Sequence, residues 1–355
     1  MIKTTRYITL LLILCLFLVS WGSKGHYAIN NKCPESFPTT MTAFKVWADS
    51  LDLHGSDADN RKSTDATESP KHFIDIDNYA DFKSKGRIYS TYDSIVAQNG
   101  VNYVTSNGTL PWATRNTYDS LKVAFKQRKW HKAMLLASDL GHYVGDGHMP
   151  LHISANYDGQ KTGQSGVHSR YESDMVYNYY SSLILYTGSS VSYVGGNVNK
   201  YIFDYIYKNQ HYVDSVLFAD KYAVGLDAYY GTTYSAALWS KAKFTTRLFK
   251  NASHALAELI YSAWIDAGSP AFGSLTAVNT PNEVNVSVYP NPTKGTLNLV
   301  GEIVFKSEMT DISGKSMGIF YGNQLDISHF SNGMYILSIY GNDGLLKKEK
   351  VVLAK

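Results

Sequence analysis

The sequence predicts a mainly α-helical protein followed by a small all-β sandwich. In the middle of the chain, aromatic and apolar residues recur at spacings typical of helix faces, as in Tyr179, Leu183 and Tyr186. From residue 284 onward apolar and polar residues alternate, which is typical of β-strands with one buried face. Residues 269–283 are rich in Gly, Ser, Thr, Asn and Pro and lack helical periodicity, so they predict a linker.

The first twenty residues predict a secretory signal peptide. Lys3 and Arg6 precede a long apolar run, and the small residue Ser20 follows it. Cleavage after Ser20 would leave Trp21 with a free α-amine. The amine and the carbonyl oxygen of one residue can chelate a metal as a five-membered ring. His26 lies five residues further on and offers an imidazole.

Two pairs of histidine and carboxylate residues predict a metal centre. Within each pair the residues are four positions apart, which places both side chains on one face of a helix. The pairs are His142 with Asp146 and His168 with Glu172. Pro150 disfavours continuation of the first helix, so we expect the chain to turn and bring His152 toward the same space. Imidazole and carboxylate ligands suit Zn²⁺, although ligand type alone does not exclude other metals.

Nine residues resemble, in their order along the chain, the zinc ligands of the S1/P1 nuclease and zinc-dependent phospholipase C superfamily. They are Trp21, His26, Asp49, His72, His142, Asp146, His152, His168 and Glu172. The resemblance covers residues 21–268, and its last part, residues 246–267, is similar to the closing helix of that family. It implies a mostly helical phospholipase C/P1 nuclease-like domain that holds three zinc ions in a cleft.

The resemblance also implies how the nine residues are divided among three zinc sites. The first site would comprise Asp49, His72, His142 and one oxygen of Asp146, and the second His152, His168 and Glu172. The third would comprise the amine and carbonyl of Trp21, His26 and the other oxygen of Asp146. Asp146 would therefore bridge two metal ions.

Two neighbouring residues are candidates for roles beside the metals. Adjacent zinc ions can lower the pKa of a shared water toward neutrality and so generate a hydroxide that attacks a phosphodiester. Asp75 is the candidate to orient or deprotonate this water, and the alternative is that it accepts a hydrogen bond from a ligand imidazole. Phe73, next to His72, is a candidate to stack on a nucleic-acid base, and core packing is the alternative.

The substrate class stays open between two branches of the superfamily. The spacing from Trp21 to His26 is similar to the nucleases, whereas the segment from His168 to Glu172 is similar to bacterial phospholipase C, which has Glu where the nucleases usually have Asp. We expect a monomeric endonuclease acting on single-stranded DNA or RNA. The alternatives are a phospholipase C acting on phosphatidylcholine-like lipids and a non-catalytic, zinc-stabilised surface protein. The formal charge without Lys3 and Arg6 is near +1, so no basic surface decides the question.

The remaining histidines and the cysteines are interpreted as structural. His148 lies between two predicted ligands and is interpreted as a packing residue or one that supports a ligand. The others, interpreted as surface or core residues, are His54, His131, His211, His254 and His329. Cys15 would leave with the signal peptide, so Cys33 has no partner for an internal disulfide and metal ions would supply the cross-links.

The C-terminal segment resembles the type A sorting domain of the type IX secretion system. The resemblance lies in residues 288–295, 311–315 and 333–337. It implies binding to the type IX machinery and transport from the periplasm across the outer membrane, which makes the protein secreted or surface-bound. A carbohydrate-binding or adhesive β-domain is the alternative. The predicted organisation is a signal peptide at 1–20, a zinc domain at 21–268, a linker at 269–283 and a sorting domain at 284–355.

Overall fold

A computed structural model describes residues 22–227, 229, 231–272, 286–301, 306–311, 315–341 and 344–355. The predicted signal peptide, Trp21 and most of the predicted linker therefore lie outside the described residues. Among the described residues, no helix combines the length and apolar character needed to cross a membrane.

The N-terminal part of the described chain is helical. Its α-helices are α1 (Gly22–Lys32), α2 (Ala48–Leu53), α3 (Asp57–Arg61), α4 (Ala80–Lys85), α5 (Tyr92–Asn99), α6 (Val101–Ser106), α7 (Leu110–Lys126), α8 (Trp130–Asp146), α9 (Val167–Ser169), α10 (Val176–Asn178), α11 (Tyr180–Leu183), α12 (Val198–Gln210), α13 (Val213–Val224), α14 (Thr232–Lys241) and α15 (Thr245–Asp266). Short 3₁₀ helices span Cys33–Ser36, Thr39–Trp47, Ser69–His72, Ile76–Asn78, Pro150–Ile153 and Gly195–Asn197, and a π-helix spans Arg170–Met175.

Three long helices, α7, α8 and α15, pack against one another and form the centre of this domain. Helix α1 lies against α8 and α15, and its close approach to α8 depends on a glycine. A Cβ atom at Gly141 would lie 1.9 Å from Oδ1 of Asn30, a contact that no side chain can make. The amide of Asn30 in turn donates hydrogen bonds to the carbonyl of Leu51 and to Ser138, which fixes α1 beside α2 and α8.

The predicted helix face through Tyr179, Leu183 and Tyr186 is shorter than expected. Helix α10 ends before Tyr179, α11 ends at Leu183, and Tyr186 lies in an irregular segment. Side-chain contacts explain these positions, because the ring of Tyr179 stacks on Trp239 with a centroid separation of 4.7 Å, and the hydroxyl of Tyr186 hydrogen-bonds Ser36 at 2.5 Å. Tertiary packing here prevails over the local periodicity.

The described residues of the C-terminal part form seven strands in two antiparallel sheets. The strands are β1 (Ser287–Tyr289), β2 (Thr296–Val300), β3 (Lys306–Asp311), β4 (Ser316–Phe320), β5 (Gln324–Asp326), β6 (Gly333–Gly341) and β7 (Gly344–Leu353). One sheet has the order β1-β2-β5 and the other β4-β3-β6-β7. Apolar side chains of both sheets, among them Leu297, Leu337 and Ile339, form one buried core. The predicted fold class, a mainly helical domain followed by a small β-sandwich, is confirmed.

The helical domain extends slightly beyond the predicted boundary at residue 268. The indole of Trp264 donates a hydrogen bond to the carbonyl of Pro270 at 2.9 Å, and the ring of Phe272 lies 4.8 Å from that of Phe44. The buried cores of the helical domain contain no residue of the β domain. A truncation after Phe272 therefore keeps these contacts, whereas a truncation after Gly268 removes them.

We predict that a truncated chain of residues 21–272 keeps the helical domain folded. A chain of residues 21–268 should lose about 1 kcal/mol of unfolding free energy, because it leaves part of the aromatic core exposed to water. Chemical denaturation of both truncated proteins and of residues 21–355 measures the difference. If residues 21–272 do not fold, the β domain is part of the helical fold and the two-domain organisation is wrong.

Candidate metal centre

The helical domain gathers histidine and carboxylate side chains from seven elements, and all of them are buried except the half-buried Asp59. Helix α1 supplies His26, α3 Asp59, the 3₁₀ helix Ser69–His72 supplies His72, α8 His142 and Asp146, the 3₁₀ helix Pro150–Ile153 supplies His152, α9 His168 and the π-helix Glu172. Together they form three groups in which the donor atoms lie within 4.8 Å of one another.

The first group places four donor atoms around one point. They are Asp59 Oδ1, His72 Nδ1, His142 Nε2 and Asp146 Oδ2, and five of the distances between them lie between 3.0 and 3.5 Å. Four ligands placed tetrahedrally at ~2.0–2.1 Å from a zinc ion are about 3.3 Å from one another. The five separations are therefore close to those between the ligands of a tetrahedral zinc site.

Asp59 takes the place in this group that was predicted for Asp49. Trp47 and Leu51 are four residues apart and buried, and Asp49 lies on the opposite, exposed side of the chain. The ring of Trp47 stacks parallel to Phe125 in the core, which turns Asp49 toward solvent. Asp59, on α3, instead lies 3.4 Å from His72 Nδ1 and 3.5 Å from His142 Nε2.

The second group consists of His152, His168 and Glu172. Nε2 of His152 lies 3.3 Å from Nε2 of His168 and 3.5 Å from Oε2 of Glu172, and that oxygen is 2.5 Å from Nε2 of His168. Glu172 is fully buried, and within the described part of the chain neither of its oxygens has a hydrogen-bond partner of acceptable geometry. Acceptor atoms that face one another in a buried space suit a cation placed between them.

The third group contains His26, His142 and Asp146. Nε2 of His26 lies 3.6 Å from Oδ1 of Asp146, the carboxylate oxygen that is not part of the first group. The imidazole of His26 stacks on that of His142 with a centroid separation of 3.7 Å. Trp21, the other predicted ligand here, lies outside the described residues.

Three imidazoles are oriented by backbone carbonyls. Nδ1 of His142 donates to Gly55 at 2.8 Å, Nδ1 of His152 to His72 at 2.8 Å, and Nδ1 of His168 to Tyr157 at 3.1 Å. A donated Nδ1–H leaves the lone pair on Nε2, which is the atom turned toward the other members of each group. When neutral, these histidines are thus held in the tautomer that a metal requires.

The charges of the groups shift the pKa values of their members in opposite directions. Burial alone would lower the pKa of His142, but Asp59 and Asp146 outweigh it and raise the pKa to about 9. Burial would also lower the pKa of His152, yet Glu172 and Asp146 raise it to about 10. Burial and the neighbouring His142 lower the pKa of His26 well below its usual value. Although burial opposes it, His142 and His152 hold the pKa of Asp146 well below its usual range.

We predict that metal binding releases about two protons per chain at pH 7, because His142 and His152 carry protons in the metal-free protein and must lose them to act as ligands. Metal affinity should therefore rise with pH until the pKa values of about 9 and about 10 are passed, and the proton release should vanish above them. Calorimetric titration in buffers of different ionisation enthalpy measures this release. A titration without proton release at pH 7 would contradict these protonation states.

A cavity of about 320 Å³ opens beside the first and second groups. His72, His152 and His168 contribute to its wall, together with Phe73, Asp75, Tyr157 and Lys62. Burial and the nearby Asp77 carboxylate raise the pKa of Asp75 to about 6. Nδ1 of His142, His152 and His168 donates to backbone carbonyls and not to Asp75.

The residues interpreted as structural lie apart from the three groups. Nδ1 of His148 donates to the carbonyl of Val144, its ring stacks on Tyr205, and burial lowers its pKa to about 4. Cys33 is buried as a free thiol. None of the metal-type groups found among the described residues contains His54, His131, His211, His254 or His329.

Comparison with known proteins identifies the C-terminal domain. Residues 287–354 match the family of the secretion system C-terminal sorting domain, which confirms the predicted sorting domain. This match supports secretion or attachment to the outer-membrane surface. No curated protein matches the chain.

Two solved structures of clostridial toxins are similar to the chain at low sequence identity. The alpha toxin from Clostridium absonum is 12% identical, with a TM-score of 0.43, and the match covers 93% of this chain and 96% of the toxin. The alpha-toxin of an avian strain of Clostridium perfringens is 12% identical, with a TM-score of 0.45 and a coverage of 94% of both chains.

Proposed function

We propose that this protein is a secreted zinc-dependent phosphodiester hydrolase, and that its substrate is single-stranded DNA or RNA. The observation that carries the proposal is the convergence of histidine and carboxylate donor atoms from seven elements into three groups beside an open cavity. Buried carboxylates need a counter-charge, which a bound cation supplies. We therefore propose zinc as the resident metal, with three ions per chain once Trp21 completes the third group.

Zinc bound at adjacent sites supplies a hydroxide nucleophile near neutral pH and positive charge for the phosphate oxygens. The residues of the chain have complementary tasks. Asp59, His72, His142 and Asp146 would hold the first ion, and His152, His168 and Glu172 would hold the second. Asp75, in the cavity wall, is ionised above about pH 6 and would accept or orient a proton of the nucleophile.

The walls of the cavity favour a nucleic-acid substrate. Phe73 and Tyr157 both line it, and Tyr157 is 40% exposed. Aromatic rings at a phosphodiester site can stack on bases, at about 1–3 kcal/mol per base. Lys62 adds a positive charge to the same wall, although its ammonium is paired with Asp59 at 2.6 Å.

A phospholipase C is the second candidate, and the segment from His168 to Glu172 favours it. Glu172, whose longer side chain is typical of that branch, lies in the second group with both oxygens buried. The metal chemistry is the same for both substrates. The choice between them depends on what the cavity wall binds.

The proposal is tested with the mature protein of residues 21–355. Single-stranded DNA, RNA and phosphatidylcholine vesicles are each incubated with it, with and without chelator, and zinc is measured by elemental analysis. We expect about three zinc ions per chain and chelator-sensitive cleavage of nucleic acid. Cleavage of the lipid alone would replace the nuclease with the phospholipase. Zinc without turnover of any substrate would support a structural protein, and one zinc ion or none would refute the site.

A Phe73→Leu variant tests whether the cavity binds nucleic-acid bases. Leucine keeps an apolar side chain but removes the ring face, so we expect KM for single-stranded DNA to rise about tenfold. Hydrolysis of a small phosphodiester without bases should stay unchanged and serves as the control. An equal effect on both substrates would show that Phe73 only packs.

A further inference from the structure

Glu68 is a buried carboxylate on the outer side of the first group. Its side chain is 1% exposed, and its Oε1 atom lies 3.4 Å from Nε2 of His72. The hydroxyl of Tyr143 donates a hydrogen bond to the same oxygen. On the other oxygen, Lys71 Nζ donates at 2.8 Å and Arg61 Nε lies at 3.5 Å. Glu68 therefore contacts both a predicted ligand and two cationic side chains.

His72 differs from the other histidines of the centre in the way it is oriented. Its Nδ1 atom faces His142 and Asp146, at 3.0 and 3.1 Å, so its Nε2 atom points away from the group. A backbone carbonyl accepts the outer N–H of His142, His152 and His168. For His72 the outer nitrogen is Nε2, and it faces the carboxylate of Glu68. The outer nitrogen of His152 also faces a carboxylate, since it lies 3.0 Å from Oδ1 of Asp146.

We propose that Glu68 is a positioning residue of the metal centre. Among the described residues Nε2 of His72 has no hydrogen-bond partner of acceptable geometry, and Oε1 of Glu68 lies 3.4 Å from it. In the metal-bound protein this contact becomes a hydrogen bond from Nε2–H to Glu68, which holds the ring with Nδ1 turned toward Asp59, His142 and Asp146. Arg61 and Lys71 keep the carboxylate in place on its other side. This inference rests on the proposed metal site.

The argument follows from the shape of the imidazole. Rotation of the His72 ring by half a turn about χ2 exchanges Nδ1 with a carbon atom and removes one donor from the first group. A hydrogen bond at Nε2 opposes this rotation, because the rotated ring presents a C–H to Glu68. A carboxylate also makes the imidazole a stronger donor to a metal than a neutral acceptor does. Groups in this position typically change metal affinity about 10–100-fold.

Two substitutions test the role of Glu68. Glu68→Leu removes the acceptor, and we expect it to weaken the first zinc about 10–100-fold while the ion held by His152, His168 and Glu172 keeps its affinity. Glu68→Gln keeps an oxygen acceptor but loses the charge, so a smaller loss is expected. Competition with a chromophoric chelator gives the affinities. The visible spectrum of the cobalt-substituted protein reports the geometry of the first group.

Asp139→Asn is the matched control. Asp139 accepts a hydrogen bond from Arg61 at 3.0 Å, and the same guanidinium lies 3.5 Å from Glu68. This variant disturbs the same cationic side chain and leaves the carboxylate at His72 in place, so the first zinc should keep its affinity and cobalt spectrum.

Three outcomes would overturn the inference. They are an unchanged zinc affinity and cobalt spectrum in Glu68→Leu, an equal loss at both metals, and an equal loss in Asp139→Asn. If Glu68→Leu does not fold, an unchanged affinity in Glu68→Gln overturns it. If the wild-type protein binds no zinc in the first group, the proposed function itself is refuted. This result therefore distinguishes failure of the proposed function from failure of the inference about Glu68.

Discussion

Asp146→Asn is expected to remove two metal ions and to lower hydrolysis by more than about 100-fold, because a ligand shared by two ions should matter more than a residue that only supports a ligand. The two carboxylate oxygens face different groups. Oδ2 lies 3.1 Å from His72 Nδ1 and Oδ1 lies 3.6 Å from His26 Nε2. Asparagine keeps the shape of the side chain but has one oxygen, no charge and an amide group that repels a cation.

The same substitution should destabilise the metal-free protein. In the absence of metal, Asp146 is a counter-charge for two buried imidazoles whose pKa values are raised, His142 to about 9 and His152 to about 10. Removal of one partner from a buried ion pair costs about 3–5 kcal/mol. A raised pKa contributes stability that is complete below the unfolded value of about 6.5 and is lost as the pH rises through the folded value. The cost should therefore be full at pH 6 and smaller above pH 10.

Glu172→Asp is the comparison for this prediction. It shortens a ligand by one methylene group but keeps the carboxylate, and it touches only the second group. We expect it to retain three zinc ions and most of the activity. Zinc content, hydrolysis and unfolding free energy are measured for both variants. An equal loss of zinc and activity in the two variants would show that Asp146 is not the bridge.

The sequence predicts those parts of the centre that depend on local geometry. His142 and Asp146 lie four residues apart on α8, and both side chains reach the first group from one face of that helix. His152 follows a turn at Pro150 and lies next to His168. In the β domain the alternation through Tyr335, Leu337 and Ile339 is confirmed, since all three are buried.

Contacts between distant elements could not be predicted in this way. Asp59 precedes His72 by a turn and a 3₁₀ helix, and no short motif marks it as the carboxylate of the first group. The segment Trp47-Ala48-Asp49 resembles a segment of the nucleases, and this resemblance implies Asp49 as the ligand. The contact of Glu68 with Tyr143 joins residues 75 positions apart. It arises from tertiary packing alone, so no local pattern predicts it.

The choice between Asp59 and Asp49 has a direct test. Asp59→Asn is expected to empty the first group of metal and to lower hydrolysis by more than about 100-fold, since asparagine is a weak zinc ligand and carries no charge. Asp49→Asn should leave zinc content and rate within about twofold of the wild type, because an exposed surface substitution changes little. Asp49 is exposed, whereas the side chain of Asp59 is 15% exposed and lies 3.4 Å from His72 Nδ1.

The two variants are matched in chemistry and differ only in position. Asp59 is ionised over the whole working range, because His142 and Lys62 outweigh the effect of burial and lower its pKa. Its substitution should also lower the pKa of His142, whose protonated form loses a counter-charge, so the metal-free variant releases fewer protons when zinc is added at pH 7. Elemental analysis, hydrolysis rates and the proton count are compared in the two proteins. Loss of zinc in Asp49→Asn with normal binding in Asp59→Asn would contradict the role of Asp59 and restore the ligand set implied by the resemblance.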